Sequence, residues 1–290
     1  MQGITISGFA DEICNDFAQQ LTVVKRLGMA YISLRSAWGK NIADYTPDEI
    51  RETVLPCLQT AGVKVSSLGS PIGKIDIQDE PAFQRQLAQL ESLCGICKLL
   101  DCRYIRVFSF FIPPEQDPEA FRDRVLEKLA QFESAARQHG IILLHENEKG
   151  IYGDTAGRCL TLLRSIGSPY LRAAFDYANF VQCGQDTVQA WQLLHSYVTY
   201  IHVKDALASG GENVVCGTGD GQIEPLLRRA IRQDGYQGFL TLEPHLALFD
   251  SFKTLEQQTS SGGLSISKAK DGAEGYRLQY EALQAILTRI

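Results

Sequence analysis

The sequence predicts an α/β fold, a single (β/α)8 barrel occupying residues 1–290 as one domain. Three observations predict it. Short β-branched or aromatic runs alternate with amphipathic stretches of a dozen or more residues, the pattern of parallel strands joined by crossover helices. Eight such units can be read along the chain. The length, 290 residues, suits a closed barrel of about 250 residues with extended loops, and no interior linker or low-complexity tract divides it.

Taken in order, the predicted strands are Thr5–Phe9, Tyr31–Leu34, Val63–Leu68, Tyr104–Phe108, Ile141–Glu146, Leu171–Asp176, Tyr200–Val203 and Phe239–Glu243. Each precedes a polar loop and then a helical pattern. The helix after the second strand has a legible start in Thr46-Pro47-Asp48-Glu49, an N-cap followed by Pro, and a Gly stop at Ala61-Gly62-Val63. Gly28, Gly140 and Gly235 are similar stops just ahead of the next apolar strand, so helix-to-strand turns are short. Two segments break the rhythm: residues 70–81 after the third strand, and the polar stretch 246–275 after the eighth, with SSGG at Ser260–Gly263 as a mobile tip. Both fall on the strand-to-helix side, where barrels carry their active sites, and read as substrate covers.

A composition of 44% hydrophobic and 21% charged residues provides a large core and argues against disorder. No run of about eighteen apolar residues occurs, and MQGITISGFADEI lacks the basic and apolar blocks of a signal peptide, so a cytoplasmic protein without a membrane partner is expected. The net charge of -6 argues against a nucleic-acid partner, since phosphate contacts need a basic face. Eight cysteines in such a chain read as reduced, buried hydrophobes. Cys94 and Cys97 form a CxxC pair within a helical stretch, but no second pair or nearby His completes a zinc site.

Four consecutive predicted strands end in residues that can bind a metal: HENE (His145–Glu148), FDYAN (Phe175–Asn179), IHVKD (Ile201–Asp205) and LEPH (Leu242–His245). Side chains alternate along a strand, so Glu146 shares a face with Leu144 and Glu148, and His202 with Tyr200 and Lys204. Neighbouring strands can then aim Glu146, Asp176, His202 and Glu243 at one point. Three carboxylates and one imidazole enclosed together would repel unless a divalent cation joined them. Oxygen-rich ligation with a single His favours Mn, Mg or Co, with Zn or ferrous iron left open.

Around this point other residues carry weaker signals. Lys204, on the His202 face, can neutralise a substrate oxyanion or carboxylate, or pair with Asp205 or Glu243. Arg35 and Arg106 near strand ends, and Lys74 after SPIG, are candidate contacts for hydroxyl, carboxylate or phosphate groups, with plain salt bridges as the alternative. Gly217-Thr218-Gly219-Asp220-Gly221 follows the seventh strand, where barrels often build phosphate sites from backbone N–H groups; a flexible turn is the alternative. Among Phe9, Trp38, Phe108, Phe110 and Phe111, Trp38 in the polar run SAWGKN is expected to wall the pocket and Phe108 to be core. His139 and His195, on helical stretches, read as structural.

The motifs GFADEI, SPIGKI, RVFSFF, HENE, FDYANFVQCG, YIHVKDA, GTGDG and LEPHL resemble, nearly end to end, the xylose-isomerase-like TIM-barrel superfamily of sugar-phosphate isomerases and epimerases. The resemblance implies a metal held by Glu146, Asp176, His202 and Glu243. It also implies acid/base roles for Glu146 and Glu243 on either face of a small sugar, sugar phosphate or polyol, through an enediol or enediolate. Relatives are often dimers or tetramers, so a homo-oligomer is among the expectations. The chain departs from many relatives, ketose 3-epimerases included, in carrying Asn179 where they have His; Asn can hydrogen-bond substrate but cannot titrate. It also reads Ser33-Leu34-Arg35 where relatives often have Glu before Leu-Arg.

A lyase dehydrating an inosose- or dehydroshikimate-like substrate is the alternative activity. An endonuclease of abasic DNA is disfavoured, because three metals need more ligands and the second to fourth strands offer Ser33, Ser67 and Ser109 instead. A non-catalytic sugar-binding subunit is disfavoured by the presence of both Glu146 and Glu243.

Overall fold

The structure is a computed structural model and describes residues 3–247 and 269–290. Eight parallel strands form the barrel: β1 (Ile4–Gly8), β2 (Tyr31–Leu34), β3 (Lys64–Leu68), β4 (Tyr104–Val107), β5 (Ile142–Glu146), β6 (Leu171–Asp176), β7 (Val198–Val203) and β8 (Gly238–Leu242). From β2 to β8 each strand pairs with its sequence neighbours, and β8 pairs in turn with β1. A parallel bridge from Phe9 to Ser33 brings β1 beside β2 and nearly closes the cylinder. All eight predicted strands are present, with ends displaced by a residue or two, the usual uncertainty of a hydrogen-bond boundary.

Helices α1 (Phe17–Arg26), α2 (Leu55–Ala61), α3 (Glu80–Leu99), α4 (Arg122–Gln138), α5 (Ala156–Ile166), α6 (Thr187–Leu194), α7 (Ile223–Arg232) and α8 (Gly272–Arg289) return the chain to the amino-terminal side of each next strand. The Thr46 start is a full capping box: Thr46 accepts from the Glu49 amide at 3.2 Å, and Glu49 accepts from the Thr46 amide at 2.7 Å. Between this cap and α2 the chain makes a π-helical turn at Ile50–Val54. Gly62 and Gly167 end α2 and α5 with positive φ. Among the described residues no helix is long and apolar enough to cross a membrane. All eight cysteines are free; Cys94 and Cys97 are buried in the core on α3.

The barrel interior is layered. Near the amino ends of the strands Tyr31, Tyr104, Tyr200 and Phe239 pack ring against ring. Above them lies a hydroxyl layer: Ser66 and Ser67 reach the Tyr200 hydroxyl at 2.8 and 2.9 Å, Ser7 joins Ser66, and Ser33 joins Ser67 at 2.7 Å. Ser66 and Ser67 both take part because the β2–β3 register slips by one residue at Ile32/Ser33. Ser109 serves the helix layer instead, accepting from the Gly153 amide and meeting His145 Nε2 at 2.9 Å.

Segment 70–81 is tied down rather than open: the Phe108 amide donates to Ile72 O, the Phe111 amide to Ile75 O, and the Ile77 amide to Phe111 O. Most of the predicted cover 246–275, with its SSGG tip, lies outside the described residues.

Candidate metal centre

At the carboxyl ends of β5 to β8 the alternation of side chains does what the sequence pattern requires. Glu146 ends β5 and Asp176 ends β6; His202 lies one residue before the end of β7, and Glu243 immediately follows β8. One ligand atom from each of the four falls within 4.8 Å of the others, and all four residues are buried. His202 Nδ1 lies 3.0 Å from Glu146 Oε1, 3.2 Å from Glu243 Oε2 and 3.9 Å from Asp176 Oδ2. The neighbour at odd parity goes the other way: His145 points into the helix layer against Ser109.

Each carboxylate is oriented from behind. Asp176 Oδ1 accepts the Asn179 amide at 2.8 Å as N-cap of the short helix Tyr177–Gln182. The Asn147 side chain bridges the Asp176 amide and carbonyl at 3.0 Å each. Asn179 Nδ2 donates to Asn147 O at 2.8 Å and lies 3.4 Å from Glu146 Oε1, so Asn179 borders the cluster. Arg106 Nη1 lies 3.2 Å from Glu146 Oε2 and Arg35 Nη1 lies 3.4 Å from Glu243 Oε1. Both guanidiniums lie over the Phe9 ring, at 4.6 Å for Arg35 and 5.1 Å for Arg106, and the edge of that ring meets His202 at 5.2 Å. Lys204, on the same face as His202, reaches Asp176 at 3.1 Å and Glu243 at 3.8 Å. The open choice between Asp205 and Glu243 is thereby resolved toward the cluster.

The electrostatics show a centre short of positive charge. Burial raises Asp176 to about 7, against the pull of Lys204. His202 is raised to about 9: burial acts against its charge, and the Glu146 and Glu243 carboxylates outweigh burial. Burial also disfavours the charge on Glu146, yet His202 and Arg106 hold it down at about 2, and Lys204 and His202 hold Glu243 well below the usual carboxylate range. Three buried oxygens, Glu146 Oε2, Asp176 Oδ2 and Glu243 Oε2, accept no hydrogen bond although nitrogens of Arg106, Lys204 and His202 lie 3.2, 3.1 and 3.2 Å from them. Orphaned oxygens at this depth are costly. A hard divalent cation fits this donor set: it would satisfy all three oxygens and replace the protons that Asp176 and His202 otherwise hold.

Sequence reasoning missed Asp11, Glu12 and His245. Arg35 forks onto Asp11 at 2.8 and 3.1 Å and reaches Glu12 at 3.3 Å, while His245 Nε2 lies 3.2 Å from Glu243 and 3.4 Å from Glu12. The available signal was position: ADE begins two residues after the end of β1, and His245 stands two residues after Glu243. Burial raises Glu12 to about 8 and lowers His245 to about 4.

Other expected pocket residues fall differently. Lys74 pairs with Glu148 at 2.9 Å over the buried Phe108 ring. Phe110 packs into the core against Phe83 and Phe132. Trp38, expected to wall the pocket, occupies the tight turn of a small hairpin (Ser36–Ala37 with Lys40–Asn41), is 44% exposed, and makes its ring contact with Phe17 of α1.

The glycine loop is filled from within. The Asp205 carboxylate accepts from the amides of Gly217, Gly219 and Gly221 at 2.8 to 3.0 Å, and from its neighbour Ala206. A Cβ on Gly219 would stand 2.5 Å from Asp205 Oδ1, so only glycine permits this approach.

With this geometry in hand, comparison with known proteins is informative. The family model described as a xylose isomerase-like TIM barrel matches residues 21–259. An inosose dehydratase of Mesomycoplasma hyopneumoniae is 26% identical over 190 residues, covering 56% of this chain and 63% of the relative, so the match spans less than two thirds of the relative's own length. A 3-dehydroshikimate dehydratase of Bacillus anthracis is 21% identical over 157 residues, covering 54% of this chain and 55% of the relative. Among solved structures, a D-allulose 3-epimerase from Methylomonas sp., in complex with D-allulose, superposes with a TM-score of 0.72 at 16% identity, covering 100% of this chain and 98% of that one.

Proposed function

Because the chain belongs to the xylose isomerase-like TIM-barrel family, we propose that it is a divalent-metal-dependent enzyme that isomerises or epimerises a small sugar or polyol by moving a proton beside a carbonyl. The observation that carries this reading is the convergence of one ligand atom each from Glu146, Asp176, His202 and Glu243 at the carboxyl end of the barrel, where three carboxylate oxygens are left without a hydrogen bond. Glu146, Asp176, His202 and Glu243 would hold the ion, with Mn, Mg or Co best suited to so oxygen-rich a set. When bound, such an ion polarises the substrate's carbonyl and hydroxyl oxygens and acidifies the adjacent C–H.

The chain supplies the proton transfer. Glu146 and Glu243 approach His202 from β5 and β8, and against burial Glu146 is kept ionised by His202 and Arg106 and Glu243 by Lys204 and His202, the form a base needs. One glutamate withdraws the proton from carbon; that same carboxyl group returns it to the neighbouring carbon to give an isomer, or the other glutamate, after taking up a proton from solvent, delivers it to the opposite face to give an epimer. Lys204, adjoining Asp176 and Glu243, provides positive charge for the oxyanion that develops between those steps. Asn179 and Arg106 would orient hydroxyl groups. A second reading, dehydration, is favoured by the names of the sequence relatives. It uses the same proton withdrawal followed by loss of a neighbouring hydroxyl as water.

Elemental analysis of purified wild type beside Glu146→Gln, followed by a ketose and inosose panel in deuterated water, tests the reading. We expect near-stoichiometric metal in the wild type and deuterium at the carbon beside the carbonyl. A product of unchanged formula identifies the isomerase or epimerase, and one lacking a water identifies the lyase. Wild type that binds no metal even with added Mn or Co would end the proposal.

A further inference from the structure

We infer that the site selects an electrically neutral substrate, an unphosphorylated ketose or polyol carrying no carboxylate; this rests on the metal-dependent sugar reading above. A buried phosphate or carboxylate has to be met by donors that the protein has left over, either an arginine fork or a nest of backbone amides. Both kinds of donor stand on the strand-to-helix face of this barrel, and the chain's own carboxylates already occupy both.

The amide nest after β7 is the clearer case. Its Gly217, Gly219 and Gly221 N–H groups all point at Asp205, the position a phosphate would take, and Asp205 is itself buried. The cations follow the same rule: Arg35 is committed to Asp11, Glu12 and Glu243, Arg106 to Glu146, Lys204 to Asp176 and Glu243, and Lys74 to Glu148. Arg106 also reaches the carbonyls of Gly69 and Ser70. Lys149, next along the rim, is exposed, where water and salt screen it.

Charge balance points the same way. Around the four-residue cluster, the buried carboxylates Asp11, Glu12, Glu146, Asp176 and Glu243 face the buried cations Arg35, Arg106 and Lys204. Acidic groups therefore outnumber cations around the centre. Among the described residues, no buried cation at this mouth is left over for a permanent substrate anion beyond the oxyanion that the reaction itself develops, and burying such an anion without a partner is unfavourable.

The test uses Mn-loaded full-length protein in two arms. In the first, deuterium exchange or turnover is measured for matched pairs: D-fructose and D-allulose against their 6-phosphates, and an inosose against 3-dehydroshikimate, a ketone bearing a carboxylate. In the second, inorganic phosphate is titrated calorimetrically. We expect at least one neutral compound to react with kcat/KM at least ~100-fold above its anionic counterpart, and no saturable phosphate binding below roughly 10 mM. Comparable or faster reaction of an anionic member, or phosphate binding with a submillimolar Kd, overturns the inference. If no sugar or inosose reacts, the sugar reading above fails, and the phosphate arm still decides whether this centre rejects anions.

Discussion

Glu146 and His145 are adjacent in the chain and face opposite worlds, one the barrel axis and the other the helix layer. Strand parity makes that division, and it was legible in the sequence because HENE ends a β-branched and aliphatic run. The consequence for pH is specific to His145. Burial lowers it from 6.5 to about 4, so the folded state binds fewer protons there than the unfolded chain does. Its contribution is complete above pH 6.5 and is lost as pH falls toward 4. Urea unfolding at pH 7 and pH 5 should show a smaller acid loss of stability for His145→Gln than for wild type. Asp176 separates two roles at one residue, since Oδ1 caps the short helix while Oδ2 faces the cluster. Asn is as good a cap as Asp, so Asp176→Asn should leave stability without metal within about 1 kcal/mol of wild type, measured by urea unfolding. Its metal affinity should fall by more than the roughly 10- to 100-fold that losing an outer-shell partner costs, measured by competition with a chelator.

At the scale of elements, local chemistry was readable where it was self-contained. Thr46 and Glu49 satisfy one another's backbone within a single turn, so the helix start needed no tertiary information. Thr46→Ala should cost about 1 kcal/mol in chemical denaturation. The π-helical turn that follows, and the Trp38 hairpin, had no such signature: each is set by how its segment packs on the barrel. The glycine loop read as either a phosphate site or a flexible turn, and neither reading supplied its occupant, Asp205, which stands 12 to 16 positions earlier in the chain. Gly219→Ala places a methyl group against that carboxylate and should destabilise the protein by roughly 1–3 kcal/mol, read from the urea midpoint at unchanged slope.

For the whole molecule, closure of the cylinder gathers residues from Asp11 to His245 around one point, so the centre and the fold are thermodynamically linked. An ion bound only by the folded state at about 100 times its Kd adds about 2.7 kcal/mol of stability. Chelator-treated wild type should therefore unfold at lower urea and recover with Mn, while Asp176→Asn should respond to neither. The sequence alone determined the eight-unit order and the four strand ends that bear Glu146, Asp176, His202 and Glu243, because strand periodicity and one-per-strand spacing are local properties. Only the tertiary structure decided which cations pair with which carboxylates, that Asp11, Glu12 and His245 join the network, and that Asp205 fills the glycine loop. Those choices depend on distances across the barrel mouth, between residues as many as 233 positions apart, and a one-dimensional pattern does not encode such distances.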